Sequence, residues 1–232
     1  MAPSRMYPEW NKRQTDKLER RDLNRRYYII CEGTNTEVWY FKKLIDCKKQ
    51  LNIKPLVDLR LLEKTEEDAT NSNPKKLIEF AIKEKNKKGN HFLKGHDKTV
   101  VVFDLDIFSG YDELSRVLVC GEEDDIFAIS NPCFELFLLL HYMDAYKLYV
   151  APNYEEILAN KKINKHTRFL TRLLSDVSGM NPKTNKKIGD LAENVVVAIE
   201  EGRNINTSMD NCLEELTCNI GHIIEELIRD GK

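Results

Sequence analysis

Asp104 and Asp106 are the residues whose types and spacing point most directly to chemistry. They end the apolar stretch 99–106 (TVVVFDLD), which predicts a buried strand. Side chains at positions i and i+2 leave a strand on the same face, so the two carboxylates can point to one position. Mg²⁺ is commonly held by one or two carboxylates, with water and substrate phosphates completing its coordination. The pair therefore predicts a metal site for phosphate chemistry, although acids that only cap a strand give the same pattern.

Glu32 and Glu37 are two further acids that could join this pair. Glu32 ends a second predicted strand, 27–31, and is followed by glycine. Because ligands bind at the carboxyl ends of strands in open α/β sheets, we expect Glu32 to lie near the two aspartates. Glu37 has another explanation, since Thr34-x-x-Glu37 fits a helix capping box. The spacing favours capping, which does not prevent the same carboxylate from binding a metal.

Glu135 lies in the first turns of a predicted helix that follows a third core strand, 126–130. Asn131-Pro132 is typical of a helix start, with a capping side chain and proline at the first position. An acid there can simply be favoured by the helix dipole. Residues 136–140 are all apolar, however, which predicts a buried helix in which a carboxylate needs a partner.

The order of elements predicts an α/β fold. Four predicted strands alternate with four predicted helices, which indicates a parallel sheet flanked by helices on both faces. From residue 144 onward the apolar spacing is mainly helical, with a break at 178–182 and one candidate strand at Lys147–Val150. We predict a basic arm at 1–25, an α/β catalytic domain at 26–143 and a helical C-terminal region at 144–232. The predicted strands are 27–31, 56–62, 99–105 and 126–130, and the predicted helices are about 36–50, 74–88, 111–119 and 132–142.

The basic residues are concentrated in one segment. Residues 161–187 contain eight basic side chains and one acid, whereas residues 190–232 contain ten acids and three bases. A basic block of this kind is compatible with a phosphate backbone. It is equally compatible with pairing to the C-terminal acids Glu214, Glu215, Glu225 and Glu226. The candidate substrate-binding residues are Lys161, Lys162, Lys165, Arg168 and Arg172.

Composition excludes several classes of protein. The longest apolar run, 136–140, is far too short to span a bilayer, and the N-terminal residues contain no apolar signal core. The six cysteines form no CxxC pair and no dense framework. We therefore expect a cytoplasmic protein without a membrane partner.

Three stretches resemble the RloB-like family, a group of Toprim-related proteins from prokaryotic defence loci. They are 29–37 (IICEGTNTE) followed by Tyr40-Phe41, then 101–106 (VVFDLD), and above all 130–141 (SNPCFELFLLLH). The resemblance covers about residues 26–142 well and the remainder only in outline. It implies a Toprim-like sheet in which Glu32 is the catalytic acid or base and Asp104 with Asp106 binds Mg²⁺, for which Mn²⁺ can substitute. Glu37 and Glu135 become plausible additional ligands.

The resemblance implies a Mg²⁺-dependent nuclease that cleaves DNA or RNA in anti-phage defence or abortive infection, beside an ATPase partner. One feature departs from the pattern: many Toprim nucleases use a lysine beyond the DxD strand, and no lysine lies between Asp106 and Tyr146. The alternative is therefore a catalytically silent nucleic-acid-binding or regulatory subunit of a defence complex. The sequence does not separate cleavage from nucleotidyl transfer.

Overall fold

A five-stranded sheet forms the centre of the fold. The computed structural model describes residues 25–55, 57–62, 73–87, 89–165 and 167–230; of the predicted basic arm, all but Arg25 lies outside these ranges. The spatial order is β2-β1-β3-β4-β5, in which the first four strands are parallel and β5 is antiparallel to β4. The strands are β1 Arg25–Cys31, β2 Val57–Leu61, β3 Lys98–Asp104, β4 Asp125–Asn131 and β5 Thr217–Cys218.

Four helices follow the parallel strands and cover the sheet. They leave β1 and β3 buried along most of their length, as continuous apolar strands of parallel sheets require. This arrangement confirms the predicted α/β fold with helical flanks. The helices are α1 Thr36–Asp46, which continues into the 3₁₀ turn Cys47–Lys49, α2 Pro74–Lys85, α3 Tyr111–Leu118 and α4 Glu135–Leu139.

The predicted start of the fourth helix at Pro132 is wrong. Asn131 belongs to β4, and its side-chain amide donates to the backbone carbonyls of Cys212 and Glu215, each at 2.9 Å. These bonds direct the Asn131 side chain to the C-terminal region, and α4 begins only at Glu135, with no side-chain cap bond. The local sequence carried a capping signal, but a long-range contact determines the orientation of the side chain.

The C-terminal region is mainly helical, as predicted, but Lys147–Val150 is not a strand. These residues belong to the π-helical turn Tyr146–Val150, whose first backbone N–H donates to the Glu201 carboxylate at 2.9 Å. That tertiary cap overrides the local strand preference. The predicted break is confirmed, because α6 ends at Ser178 and its C-cap, Gly179, has a left-handed φ of +69°. The elements are α5 Tyr154–Ala159, α6 Phe169–Ser178, the 3₁₀ segment Lys186–Asn194, α7 Val195–Gly202 and α8 Ile220–Asp230.

Two apolar layers lie on the opposite faces of the sheet. One packs α1, α4 and the C-terminal helices together, and the other packs α2 and α3 against β3. Residues on both sides of position 143 therefore contribute to one core, and β5 adds a C-terminal strand to the sheet. Within the described part of the chain, none of the helices combines the length and apolar character needed to cross a membrane.

Candidate functional site

Glu32 and Asp104 meet where two neighbouring parallel strands end. The Asp104 backbone N–H donates to Glu32 Oε2 at 3.2 Å, and Glu32 N–H donates to Val102 O at 2.9 Å, which continues the ladder between β1 and β3. Asp104 Oδ1 accepts from the Phe134 backbone N–H at 2.8 Å and from Ser130 Oγ at 3.1 Å. The predicted meeting of these acids at one sheet edge is thus observed, and Asp104 is held in a fixed orientation by neighbours from β4 and the loop after it.

Glu37 turns toward the sheet edge instead of closing a capping box. The cap position of α1 is Asn35, which makes no side-chain capping bond, so the predicted Thr34 cap is wrong. The Glu37 carboxylate lies over Gly33, where any Cβ would collide with it. Glycine at position 33 therefore lets a buried acid approach the backbone after β1. The next contact along this edge is Thr36 Oγ1, which donates to Pro182 O at 2.8 Å.

Glu135 has the partner that a buried acid requires. Its carboxylate, 2% exposed, lies 2.6 Å from Lys183 Nζ and accepts from Thr171 Oγ1 at 3.4 Å. Burial opposes its charge, but the charge and hydrogen bond of Lys183, together with hydrogen bonds from Cys133 and the backbone, hold the pKa of Glu135 below its ordinary value. Burial also opposes the charge of Lys183, yet Glu135 and Glu37 leave the Lys183 pKa raised. Both groups are therefore charged at neutral pH.

Asp104 carries a strongly perturbed carboxyl group. Burial raises its pKa well above the ordinary value, and the charges of Glu37, Glu135, Glu32 and Asp106 raise it further. Each of these four carboxylates is close enough to act on Asp104, so the five predicted acids form one cluster. Like charges brought together in this way are costly unless a cation or a proton compensates them.

Arg168 supplies a second cation at this edge. Its guanidinium lies 3.3 Å from Asp106, whose side chain is 20% exposed. Burial and the Glu135 charge raise the pKa of Asp106, while Arg168 and Lys183 lower it, and the net direction is upward. Arg168 therefore lies within the acidic cluster, in addition to being a candidate for phosphate binding.

The remaining predicted substrate-binding residues lie beside the cluster. Lys161, Lys162 and Lys165 are exposed on a short hairpin closed by pairing between Lys162 and Arg168. Arg172, on α6, donates through Nε to both carboxylate oxygens of Asp176, each at 2.9 Å. No ion pair in the described ranges joins these bases to the C-terminal acids: Glu225 pairs with Arg203 and Arg229, and Glu226 with His222.

Comparison with known proteins identifies the family. A sequence model described as RloB-like protein matches residues 27–227, which is most of the chain. The chain belongs to the RloB-like family. Its match includes the C-terminal region that holds Arg168 and Lys183, and not only the sheet. Searches of curated proteins and of solved structures returned no significant match.

Lys183 is the site residue that sequence reasoning missed. Residues 107–145, the part of this RloB-like chain that follows the DxD strand in sequence, contain no lysine. The structure brings one from the C-terminal region, 48 positions after Glu135. The only available signal was the basic block itself, because Lys183 follows the Ser178–Pro182 break and nothing local marks it as different from Lys186 or Lys187.

The donor set of this cluster suits a hard divalent cation. Carboxylate oxygens are the ligands that Mg²⁺ prefers, and the excess negative charge around Asp104 is of the kind a cation relieves. In the described ranges, no group of three or more His, Cys, Asp or Glu side chains is arranged to hold a metal ion. Mg²⁺ is commonly held by one or two carboxylates and retains water, so the side chains of Asp104 and Asp106 have the donor chemistry that would hold it.

Proposed function

We propose that this chain is a Mg²⁺-dependent nuclease that cleaves phosphodiester bonds in DNA or RNA. The observation that carries the proposal is the cluster of Glu32, Glu37, Asp104, Asp106 and Glu135 at the carboxyl ends of β1 and β3, beside Lys183. A structural role alone does not require so many acids around one partly buried aspartate, because repulsion between them costs stability. Concentrated acids at a sheet edge are typical of catalytic sites.

The acids divide into two roles. Asp104 and Asp106 would hold Mg²⁺, with Glu37 and Glu135 as further candidate ligands; the bound ion would neutralise phosphate charge and activate water. Glu32 is the candidate acid or base, since its Oε2 already contacts the Asp104 backbone and so lies beside the metal-binding position. The Asp104 N–H holds that carboxylate in place beside the position that the metal would occupy.

The two cations have a role beside these acids. Lys183 compensates the charge of Glu135, and Arg168 compensates the charge of Asp106. Because both cations lie beside candidate metal ligands, they can also stabilise negative charge that develops on a phosphate. Arginine presents a planar fork suited to phosphate, and lysine a compact point charge. Lys161, Lys162 and Lys165 on the neighbouring hairpin, with Arg172 on α6, remain candidates for contacts to the phosphate backbone.

The biological setting follows from the family. The resemblance to proteins of prokaryotic defence loci supports a role in cytoplasmic defence against phage, including abortive infection, with an ATPase as partner. Cleavage gated by a partner is consistent with a site whose acids are already paired with intramolecular cations. The same metal site also suits nucleotidyl transfer.

A catalytically silent nucleic-acid-binding subunit is the second candidate. The observation in its favour is that Lys183 and Arg168 already occupy two of the candidate metal ligands at ion-pair distance. A protein that used its basic surface only to bind nucleic acid would gain stability from this neutralisation and would need no metal. It would bind oligonucleotides equally well with and without Mg²⁺.

Purified protein incubated with tRNA, single-stranded and duplex substrates in Mg²⁺ or Mn²⁺ tests the proposal. We expect cleavage of at least one substrate, loss of cleavage in Asp104→Ala, and loss of turnover with retained binding in Glu32→Gln. Glutamine keeps the size and hydrogen-bonding capacity of Glu32 but is not a base. Glu79→Gln, an exposed exchange on α2, is the matched control. Cleavage by Glu32→Gln at the unmodified rate would overturn the role of Glu32, and metal-independent binding without cleavage would favour the second candidate.

A further inference from the structure

A groove with basic and aromatic walls lies along α1, on the side where the 3₁₀ segment 186–194 packs. It is a cavity of about 370 Å³ whose lining includes Trp39, Lys42, Lys43, Lys186 and Lys187. Asp46 and Asp190 also line it, so the lysines outnumber the acids. None of these residues belongs to the acidic cluster or to the 161–172 hairpin and helix, and the groove therefore needs its own explanation.

The groove continues from the acidic cluster. Segment 182–190 runs alongside α1: Pro182 accepts from Thr36 Oγ1, and Lys183 reaches Glu135. Farther along, Gly189 lies against the Trp39 carbonyl so closely that a Cβ there would stand 2.6 Å from it, and Asp190 lies 3.4 Å from Lys43. From Thr36 to Lys43 the helix rises about 10 Å, which is the span of about three stacked nucleotides.

The lysines of the groove differ in whether they already form ion pairs within the protein. Lys43 pairs with both Asp190 and Glu193, the latter at 2.6 Å. Lys186 and Lys187 are exposed, and neither forms an ion pair within the described residues. Two adjacent cations thus stand beside a half-buried indole. A basic groove with an aromatic side chain that can stack on a base is the combination used to bind single-stranded nucleic acid.

We propose that this groove binds single-stranded nucleic acid, with Trp39 stacking on a base and Lys186 and Lys187 contacting its phosphates. The inference rests on the proposed function in one respect, since it makes the groove the path along which a strand reaches the acidic cluster. A duplex would keep its bases paired and unavailable to Trp39, so the preferred ligand is an unpaired strand of DNA or RNA.

Binding in EDTA tests the groove separately from cleavage. The full chain, with Trp10→Phe so that Trp39 is the one remaining tryptophan, is titrated with oligo(dT), oligo(U) and a duplex of equal length. We expect the single strands to quench Trp39 fluorescence and to bind more tightly than the duplex. Because Trp39→Leu and Trp39→Phe have no tryptophan left in this background, their binding is measured by fluorescence anisotropy of a labelled strand. Trp39→Leu should weaken single-strand binding about 5- to 150-fold, the range expected for the loss of one base stack, and Trp39→Phe should restore part of it. Melting temperatures show which variants are folded.

Charge reversal of Lys186 and Lys187 gives a second readout. Lys186→Glu/Lys187→Glu should reduce the slope of log affinity against log salt by about 1.4 on single strands, corresponding to two phosphate contacts. Lys75→Glu/Lys76→Glu, an exposed pair on α2 on the opposite face of the sheet, is the matched control and should leave the slope unchanged.

Two outcomes would overturn the proposal that the groove binds single strands. One is that neither oligo(dT) nor oligo(U) quenches Trp39 fluorescence, and the other is that the two double variants have the same salt slope. Cleavage that persists in Lys186→Glu/Lys187→Glu together with unaltered binding would remove the groove but leave the nuclease proposal standing. Quenching of Trp39 and a reduced salt slope in Lys186→Glu/Lys187→Glu, without cleavage in Mg²⁺ or Mn²⁺, would support the groove as a binding site and contradict the nuclease proposal.

Discussion

Lys183 Nζ lies 2.6 Å from Glu135 Oε1, which joins the C-terminal region to the acidic edge of the sheet. Glu135 is almost wholly buried, while just over half of the Lys183 side chain is exposed. The pair therefore compensates a charge that the fold places in a poorly solvated position, and it keeps a cation near Glu37. Its removal has consequences for both stability and chemistry.

Lys183→Met should destabilise the protein, because it leaves the Glu135 carboxylate buried without a cation and with only neutral hydrogen-bond partners, Thr171 and Cys133, among the described side chains. Loss of a partner from a fully buried pair costs about 3–5 kcal/mol, but solvent screens the exposed lysine, so we expect about 1–2 kcal/mol. Urea unfolding in EDTA measures the change. Lys183→Met/Glu135→Gln should recover most of it, since no charge is then left unpaired. An unaltered free energy of unfolding in Lys183→Met would contradict the structural role of the pair.

If Lys183 also stabilises phosphate charge, Lys183→Arg should retain more cleavage than Lys183→Met at equal stability. The kcat of the two variants, measured at saturating substrate and metal, gives this comparison. Lys76→Met, an exposed change on α2, is the control for loss of one surface charge. Equal kcat in Lys183→Met and the unmodified protein would mean that Lys183 contributes to stability and not to the cleavage step.

The sequence predicts the parts of this site whose geometry is local. A strand ending in Asp-x-Asp, and a parallel strand ending in Glu-Gly, suffice to predict that Glu32 and Asp104 meet, because the rule for strand ends depends only on the fold class. The partners of Glu135 and Asp106 could not be predicted in this way. Lys183 and Arg168 reach the site through tertiary packing of the C-terminal region, and their local sequence is shared by lysines that face solvent.

The same distinction explains the incorrect element boundaries. Asn131 has the residue type of a helix cap, and Thr34 with Glu37 has the spacing of a capping box. In both cases a long-range requirement determines the side-chain position: Asn131 holds the chain at Cys212, and Glu37 turns over Gly33 into the acidic cluster. Local rules therefore fail here at residues that bind the C-terminal region or build the site.

Asp104→Asn should stabilise the metal-free protein at neutral pH. The pKa of Asp104 in the folded state lies well above its ordinary value of 3.8, so ionisation of this carboxyl opposes folding. This contribution favours the folded state fully below the unfolded pKa and is lost as pH rises through the folded pKa. Asparagine keeps the oxygen that accepts from Phe134 N–H and Ser130 Oγ, and it removes the charge.

Thermal unfolding in EDTA from pH 4 to pH 8 measures the effect of Asp104→Asn. The variant and the unmodified protein should melt together near pH 4, and the melting temperature of the variant should become progressively higher as pH rises. Mg²⁺ should narrow the difference, since it stabilises only the protein that binds it. Asp112→Asn, an exposed acid on α3, is the matched control. A variant that melts below the unmodified protein at pH 7 in EDTA would show that the Asp104 charge is compensated.

The hairpin lysines should contribute to substrate binding through phosphate contacts. Lys161 and Lys165 are exposed and lie beside the Arg168–Asp106 pair. Lys161→Glu/Lys165→Glu leaves that pair intact, and it should reduce the salt slope of binding by about 1.4 on single strands or about 1.8 on duplex. Fluorescence anisotropy of a labelled oligonucleotide in EDTA measures the slope, with Lys75→Glu/Lys76→Glu as control. An unchanged slope would remove the hairpin from the substrate path.

His141 should make the protein less stable in mild acid. Its Nδ1 hydrogen is directed to Phe137 O at 2.9 Å, so Nε2 accepts from the Tyr40 hydroxyl at 2.9 Å, and the imidazole is neutral. Burial lowers the pKa of His141 to about 4, against an ordinary value of 6.5. The unfolded chain therefore binds a proton that the folded chain rejects, and stability is lost as pH falls from 6.5 toward 4.

The pH dependence of urea unfolding tests this role of His141. Within the window from pH 6.5 to pH 4 we expect a loss approaching 1.4 kcal/mol per pH unit from this residue, about 3 kcal/mol in total. Tyr40→Phe/His141→Leu removes both side chains of the Tyr40–His141 hydrogen bond. Phe137 O loses its His141 donor at every pH, which lowers the free energy of unfolding by a constant amount, so the stability of the variant should still fall less steeply as pH falls. Contributions from Asp104 and the other acids cancel in the difference between the two proteins. His222→Gln, an exposed exchange on α8, is the control and should keep the full slope of stability against pH. An equally steep slope in the Tyr40→Phe/His141→Leu protein would mean that His141 is protonated in the folded state.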